Sequence, residues 1–320
     1  MGKVVLAGDI GGTKTHLALF PEGERRKWIV DQKFPSSNYP NLIDIVKEFL
    51  ATRPDDQVIA SCFGIAGPVQ GGVVHATNLP WVIDAVSLAK EMGLTKVSLI
   101  NDLEANAYGI GALEEEELFV LNPGVEKEGN RALISAGTGL GEAALYYDGE
   151  KHYPFPSEGG HATFAPEEEI EIDLLRYLKK KYGHVSFERI VSGMGLANIY
   201  QFLVDEKIEK GEAKAPDPQV ITEKALKNGC AASIRTVELF IQIYGAEAGN
   251  WALKMLALGG VYLGGGIAPK MVHLLKEKGF MKRFTGKGRF GPLLIDIPVR
   301  VILNENTALL GAATVAGQNE

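Results

Sequence analysis

The chain opens with apolar runs broken by glycine. Val4 to Ala7 is apolar, Asp9-Ile10-Gly11-Gly12-Thr13-Lys14 is a glycine-rich turn, and Thr15 to Phe20 is a second run with partial alternation. Two such runs flanking glycines predict a β-hairpin. A third strand is expected over Trp28 to Phe34. The period then lengthens to that of a helix from Asn41 to Leu50. Val58 to Ile65 and Val97 to Ile100 read as buried strands, with helices near Ala85 to Met92 and Glu104 to Leu113 between and after them. Three strands followed by alternating helix and strand is the order of an α/β layer with a mixed sheet.

A second unit of this kind begins near Arg131. Laying Ala132 to Tyr147 over Val4 to Phe20 brings Gly137-Thr138 onto Gly12-Thr13, a short internal repeat that suggests two lobes of related design. Glu167 to Lys181, Phe187 to Leu203 and Ile221 to Leu258 are helical by period and enlarge the second lobe. Glu206 to Pro218, charged and carrying two prolines, reads as an exposed loop within it. After a strand at Val299 to Leu303, a final helix from about Asn306 to Ala316 is expected to pack onto the first lobe. The domain boundaries expected are 1–111 with 304–320 for a small α/β domain and 112–303 for a large one.

Composition supports two domains, since 320 residues at 46% hydrophobic content exceed the size at which one core stops growing. A formal net charge of -7 gives no basic footprint for nucleic acid or an anionic membrane. The apolar stretch before Asp9 is too short for a secretory signal, and Ala252 to Ala268 contains Lys254 and a cluster of glycines, so it reads as a buried helix and strand rather than a membrane span. Cys62 and Cys230 are far apart in apolar surroundings, which argues against a disulfide framework or a zinc cluster and fits a reducing cytoplasm.

The glycine turns carry the candidate chemistry. Each can present a row of backbone N–H groups to an anion with no side chain in the way, and two of them imply one nucleotide. Asp9 adds a carboxylate where Mg²⁺, a hard cation preferring oxygen ligands and retained waters, would sit beside the phosphates, bound directly or through water. Thr13 and Lys14 add a hydroxyl and a cation. A glycine-glycine hairpin turn alone is equally consistent with a structural role. Neither turn has P-loop or Rossmann spacing, and a strand, not a helix, follows Gly137-Thr138-Gly139-Leu140-Gly141.

Seven segments in order make the signal specific. Asp9-Ile10-Gly11-Gly12-Thr13 resembles the first phosphate motif of hexokinase-type kinases, Ala136-Gly137-Thr138-Gly139-Leu140-Gly141 the second, and Leu263-Gly264-Gly265-Gly266-Ile267-Ala268-Pro269 the adenosine motif. Thr77-Asn78-Leu79-Pro80-Trp81, Ile100-Asn101-Asp102, Glu158-Gly159-Gly160-His161 and Ser186-Phe187-Glu188-Arg189 resemble the sugar-contacting segments of the bacterial glucokinases. The resemblance spans roughly Val4 to Ala316 and, with no cysteine-rich zinc motif or helix-turn-helix domain, points to the zinc-free branch of the hexokinase/actin-type sugar kinases. Lys14 departs from that branch, which often has an amide there.

The resemblance implies a two-lobed hexokinase/actin-like (ribonuclease H-like) α/β fold with mixed sheets flanked by helices. It implies ATP-dependent phosphorylation of glucose to glucose 6-phosphate by a cytoplasmic homodimer, with ATP and Mg²⁺ as cofactors. Asp102 would be the general base; taken without its flanking motifs, an aspartate there reads more readily as a helix N-cap. Asn101, Glu158, His161 and Glu188 would bind sugar hydroxyls, with Asn78 a further candidate. Gly11, Gly12, Thr13, Lys14, Gly137, Thr138 and Gly139 would hold the phosphates, and Gly264, Gly265 and Gly266 the adenosine. Trp81 and Trp251 are most simply core residues. The competing activities are a kinase for another hexose or an amino sugar and an actin-like ATPase without sugar turnover; the sugar segments argue against the latter. A sugar-sensing regulator would need the base lost or a DNA-binding module added, and neither is seen.

Overall fold

The computed structural model describes residues 2–77 and 79–318. The chain forms two compact units, Met1–Glu115 with Asn304–Glu320, and Glu116–Leu303.

The first unit is laid down as β1 (Lys3–Ile10), β2 (Lys14–Pro21), β3 (Val30–Pro35), α1 (Leu42–Ala51), β4 (Gln57–Ile65), β5 (Val69–Gln70), β6 (Val73–His75), β7 (Val82–Asp84), α2 (Ala85–Met92), β8 (Val97–Asn101) and α3 (Asp102–Gly109). Its main sheet has the order β3-β2-β1-β4-β8, antiparallel on the β3 side and parallel from β1 to β8. Strand β1 is apolar throughout its interior because both faces are covered. Val4, Leu6 and Ile10 join a core with Ile45, Val46 and Phe49 of α1, while Val5 and Ala7 join a second core on the opposite face. β5, β6 and β7 form a small separate sheet beside the first core, to which Val74, Trp81 and Ile83 belong.

The second unit contains β9 (Leu118–Asn122), β10 (Arg131–Ala136), β11 (Leu140–Tyr147), β12 (His152–Ser157), α4 (Glu169–Tyr182), α5 (Gly193–Asp205), α6 (Pro218–Leu226), α7 (Ala231–Met255), β13 (Val261–Gly264), α8 (Val272–Glu277), α9 (Phe280–Thr285), α10 (Gly291–Ile295) and β14 (Val299–Ile302). Its sheet runs β12-β11-β10-β13-β14-β9, with β10, β13 and β14 mutually parallel. Helix α7 is the spine of this core. Tyr244 donates its hydroxyl to the Ile134 carbonyl (3.0 Å) and Trp251 its indole N–H to that of Ala143 (3.0 Å). The last helix, α11 (Thr307–Gly317), belongs to the first unit and packs on α3, β1 and β4.

Several elements differ from their expected spans for identifiable reasons. The helix expected over Phe187 to Leu203 is a short 3₁₀ turn followed by α5, because Ser192 caps a new start by accepting from Gly195 N (3.1 Å). The helix expected over Ile221 to Leu258 divides into α6 and α7 where Asn228 adopts φ 52° beside Gly229, and α7 ends at Leu256 with φ 46°. Strand β12 was not expected; it carries Pro154 and Pro156, which a sheet edge tolerates. Among the described residues no helix is long and apolar enough to cross a membrane.

Candidate active site

In the first unit the candidate residues gather at the carboxyl ends of the parallel strands, where α/β sheets open a crevice for ligands. Asp9 near the end of β1 lies opposite Gly64 on β4, and Gly64 lies opposite Ile100 on β8, immediately before Asn101 and Asp102. The turn 11–13 closes the β1–β2 hairpin, with Gly11 N donating to Lys14 O at 3.0 Å. Thr13 and Lys14 are exposed. A third segment bolts this turn in place. The buried Ser36 donates its backbone N–H to Thr13 O (3.0 Å) and its hydroxyl to Gly11 O (2.9 Å), and its Oγ lies 3.0 Å from Thr15 Oγ1. Nothing local in the sequence marks Ser36.

Asp102 is the first helical residue of α3, not its cap. Asn101 is the N-cap, its Oδ1 accepting from Leu103 N (2.8 Å) while its Nδ2 donates to Gly67 O (3.1 Å). Each end of that amide keeps further capacity for a hydroxyl. Burial and the neighbouring Asp102 push the Asp9 carboxyl up to about 6, with Lys14 opposing. A half-buried oxygen donor in excess negative charge is a fitting partner for a hard divalent cation. Asn78 lies outside the described residues.

In the second unit the turn 137–139 joins β10 to β11 and is held by Gly137 N to Gly139 O (2.9 Å) and Gly193 N to Gly137 O (2.8 Å). Thr138 is exposed. Gly264 ends β13 opposite Ser135, next along the same sheet. Gly265 adopts φ 79°, and a Cβ there would meet Ala136 O at 2.3 Å, so only glycine lets the 264–266 loop lie against β10. The turn expected to hold phosphate and the segment expected to hold adenosine are thus neighbours.

The three remaining candidates form a cluster beside that turn. Glu188 Oε2 accepts from Leu140 N (3.1 Å) and occupies the space of a Cβ on Gly139. His161 stands between two carboxylates, its Nδ1 3.9 Å from Glu188 Oε1 and its Nε2 3.9 Å from Glu158 Oε2. Glu158 and His161 are exposed, ready to meet a polar ligand. Separate carboxylates and an imidazole, each with unused lone pairs or N–H groups, suit vicinal hydroxyls that donate and accept at once.

Comparison with known proteins follows the same lines. A family model described as Glucokinase matches residues 6–319. The chain is 43% identical over 338 aligned positions to a glucokinase of Nostoc punctiforme, covering 98% of this chain and 99% of that protein. It is 44% identical over 340 positions to a glucokinase of Trichormus variabilis, with the same coverage. Among solved structures, a glucokinase from an Antarctic psychrotroph superposes with a TM-score of 0.88 at 30% identity, covering 99% of each chain. The fold is the actin-like one of these sugar kinases.

Proposed function

The chain belongs to the glucokinase family, and on that premise we propose that its ATP-dependent phosphorylation of glucose runs through Asp102 as general base and Asp9 as the carboxylate beside the phosphates. The observation that carries this reading is the pair itself. Two carboxylates stand at the carboxyl edge of one sheet, close enough for Asp102 to raise Asp9, and Asp102 lies in the first turn of α3, its Oδ1 accepting from Leu103 N (3.0 Å), while Asn101 is the N-cap.

Asn101, Glu158, His161 and Glu188, with Asn78, hold the hydroxyls of glucose. The turns at Gly11-Gly12-Thr13-Lys14 and Gly137-Thr138-Gly139 offer N–H groups to the phosphates of ATP, and Gly264-Gly265-Gly266 allows the adenosine to approach the backbone. Asp102 takes the proton of the 6-hydroxyl as that oxygen bonds to the γ-phosphorus and the bond to the β,γ-bridging oxygen breaks, leaving ADP and glucose 6-phosphate. Mg²⁺, held with Asp9, would supply neutralisation of phosphate charge. Positioning and electrostatics do most of the catalysis in such a transfer.

The same reading makes the enzyme a cytoplasmic homodimer that requires Mg²⁺. Sedimentation at equilibrium and activity in the presence of a chelator test the last two points. The reading as a whole is tested by ADP release against a panel of hexoses and amino sugars. Glucose should give the highest kcat/KM; a higher value for another sugar would reassign the substrate.

A further inference from the structure

Behind the turn that bears Glu158 and His161 lies a pair of carboxyls that phosphoryl transfer does not use. Glu142 on β11 and Glu247 on α7 are both fully buried. Glu142 faces Ser157 across the β11–β12 ladder. Ser157 Oγ donates to Glu142 O (3.1 Å) and accepts from Gly159 N (3.1 Å), which ties the turn to the Glu142 backbone. The side chain makes a closer contact still. A Cβ on Gly159 would stand 1.9 Å from Glu142 Oε2, so the carboxyl fills the space beneath the turn that any other residue at 159 would claim.

Among the described residues no N–H or O–H donor of another group reaches either carboxyl oxygen of Glu142. What faces it is the Glu247 carboxyl. Two ionised carboxylates in one buried space are opposed by desolvation and by mutual repulsion, and a single proton between them relieves both. The surroundings decide which residue carries it. Glu247 accepts from Asn250 Nδ2 (2.8 Å) and lies 3.4 Å from Lys254 Nζ, so the negative charge is better held on Glu247 and the proton on Glu142.

We propose that Glu142 and Glu247 form a proton-sharing pair that buttresses the Glu158–His161 turn, and so act as positioning residues for glucose. The pair touches neither substrate nor nucleotide. The proposal rests on the reading of Glu158 and His161 as sugar ligands.

A pH response follows. Burial and Glu247 push the Glu142 carboxyl up to about 8 against the pull of Lys254. The other titratable groups facing the pair are Tyr244 on α7 and Lys287 beyond α9, and burial raises Tyr244 further from ionisation. Above about pH 8 the shared proton leaves, two negative charges oppose each other under Gly159, and the turn must shift. Glucose affinity should therefore be constant at lower pH and fall through that region.

Calorimetric titration with glucose in the absence of nucleotide, from pH 6 to 9.5, tests this in the wild type and three variants. Glu142→Gln keeps an N–H donor for Glu247 and has no proton to lose; it should retain the low-pH Kd and abolish the alkaline decline. Glu142→Leu leaves Glu247 charged against an apolar side chain and should raise the glucose Kd by roughly tenfold, with kcat at saturating glucose within about twofold. Glu158→Gln checks the underlying reading. If Glu158→Gln weakens glucose while Glu142→Leu binds it as the wild type does, the buttress is wrong and the sugar turn stands. If both bind normally, the sugar-turn reading fails with it. Should Glu142→Leu not fold, an alkaline decline in Glu142→Gln equal to that of the wild type overturns the proposal by itself.

Discussion

The Glu188 carboxylate accepts the backbone N–H of Leu140 at 3.1 Å while its other oxygen lies 3.9 Å from His161 Nδ1. One side chain thus links the second phosphate turn to the cluster assigned to the sugar. A hydrogen bond to a charged group contributes on the order of 1.5–3 kcal/mol, enough to set the shape of a short glycine turn.

Glu188→Ala should therefore raise the KM for glucose by roughly tenfold or more and also raise the KM for ATP, because Leu140 N loses its acceptor. Glu188→Gln, whose amide oxygen can still accept, should harm ATP use less than Glu188→Ala. A steady-state matrix of both substrates separates the two. An unchanged KM for ATP in Glu188→Ala would show that the bond to Leu140 does not shape the phosphate turn.

Asp102→Asn should lower kcat by roughly 10²-fold or more while changing the glucose Kd only modestly, since an amide accepts a hydrogen bond but cannot take the proton. The variant should melt with the wild type, because Asn101 caps α3 and an amide oxygen at position 102 can still accept the Leu103 N–H that Asp102 Oδ1 takes at 3.0 Å. Near-wild-type turnover would remove Asp102 from the mechanism.

Both hairpins were readable in the sequence because a hairpin closes locally: apolar runs flank Gly11-Gly12 and Gly137-Thr138-Gly139, and pairing needs no distant partner. The resemblance carried the rest of the fold. What the sequence hid depends on contacts distant along the chain. Ser36 looks like one of several loop polar residues, yet it secures Gly11 and Thr13 from 23 or more positions away. Glu142 reads as a polar position on a strand, and only packing against α7 places it beside Glu247. Asn228-Gly229 reads as a tolerable irregularity in a helical period until Asn228 turns left-handed and divides the helix. Glu158, His161 and Glu188 are spread over 158–188, and their meeting within 3.9 Å is set by the turn at Gly159–His161 and the 3₁₀ turn at Phe187–Arg189.

Asp9, proposed to sit beside the phosphates, carries a stability cost that pH exposes. Its carboxyl is raised from 3.8 to about 6 in the folded chain. A carboxyl raised on folding binds its proton more tightly in the native state, so native stability falls as pH rises from about 4 through 6 and stays reduced above. The shift is worth up to about 3 kcal/mol. Asp9→Asn should therefore melt higher than the wild type at pH 7.5 without ligands, and the gap should close near pH 4. The same change should damage use of Mg²⁺ and ATP while glucose binding without nucleotide barely alters. A variant that melts lower at pH 7.5 would make Asp9 a structural residue of the turn.

Helix α11 backs the helix that carries Asp102, the proposed base. Helices α3 and α11 approach so closely that a Cβ on Gly311 would stand 1.7 Å from Ala105 O, and one on Gly109 would stand 2.0 Å from Thr307 O. Asp102 opens α3 one turn before Ala105, so any retreat of α3 moves its carboxylate. Overpacking a well-filled interface costs about 1–3 kcal/mol, and here the obstruction is backbone, which cannot swing aside. Gly311→Ala should lower Tm by several degrees and reduce kcat more than it raises the KM for glucose, because a displaced base harms proton transfer before it harms binding. Gly111→Ala is the control: no atom lies within 4 Å of the added Cβ, so Tm and kcat should hold or Tm should rise slightly. If Gly311→Ala loses stability but its folded protein keeps full kcat, α11 stabilises the unit without setting the position of Asp102.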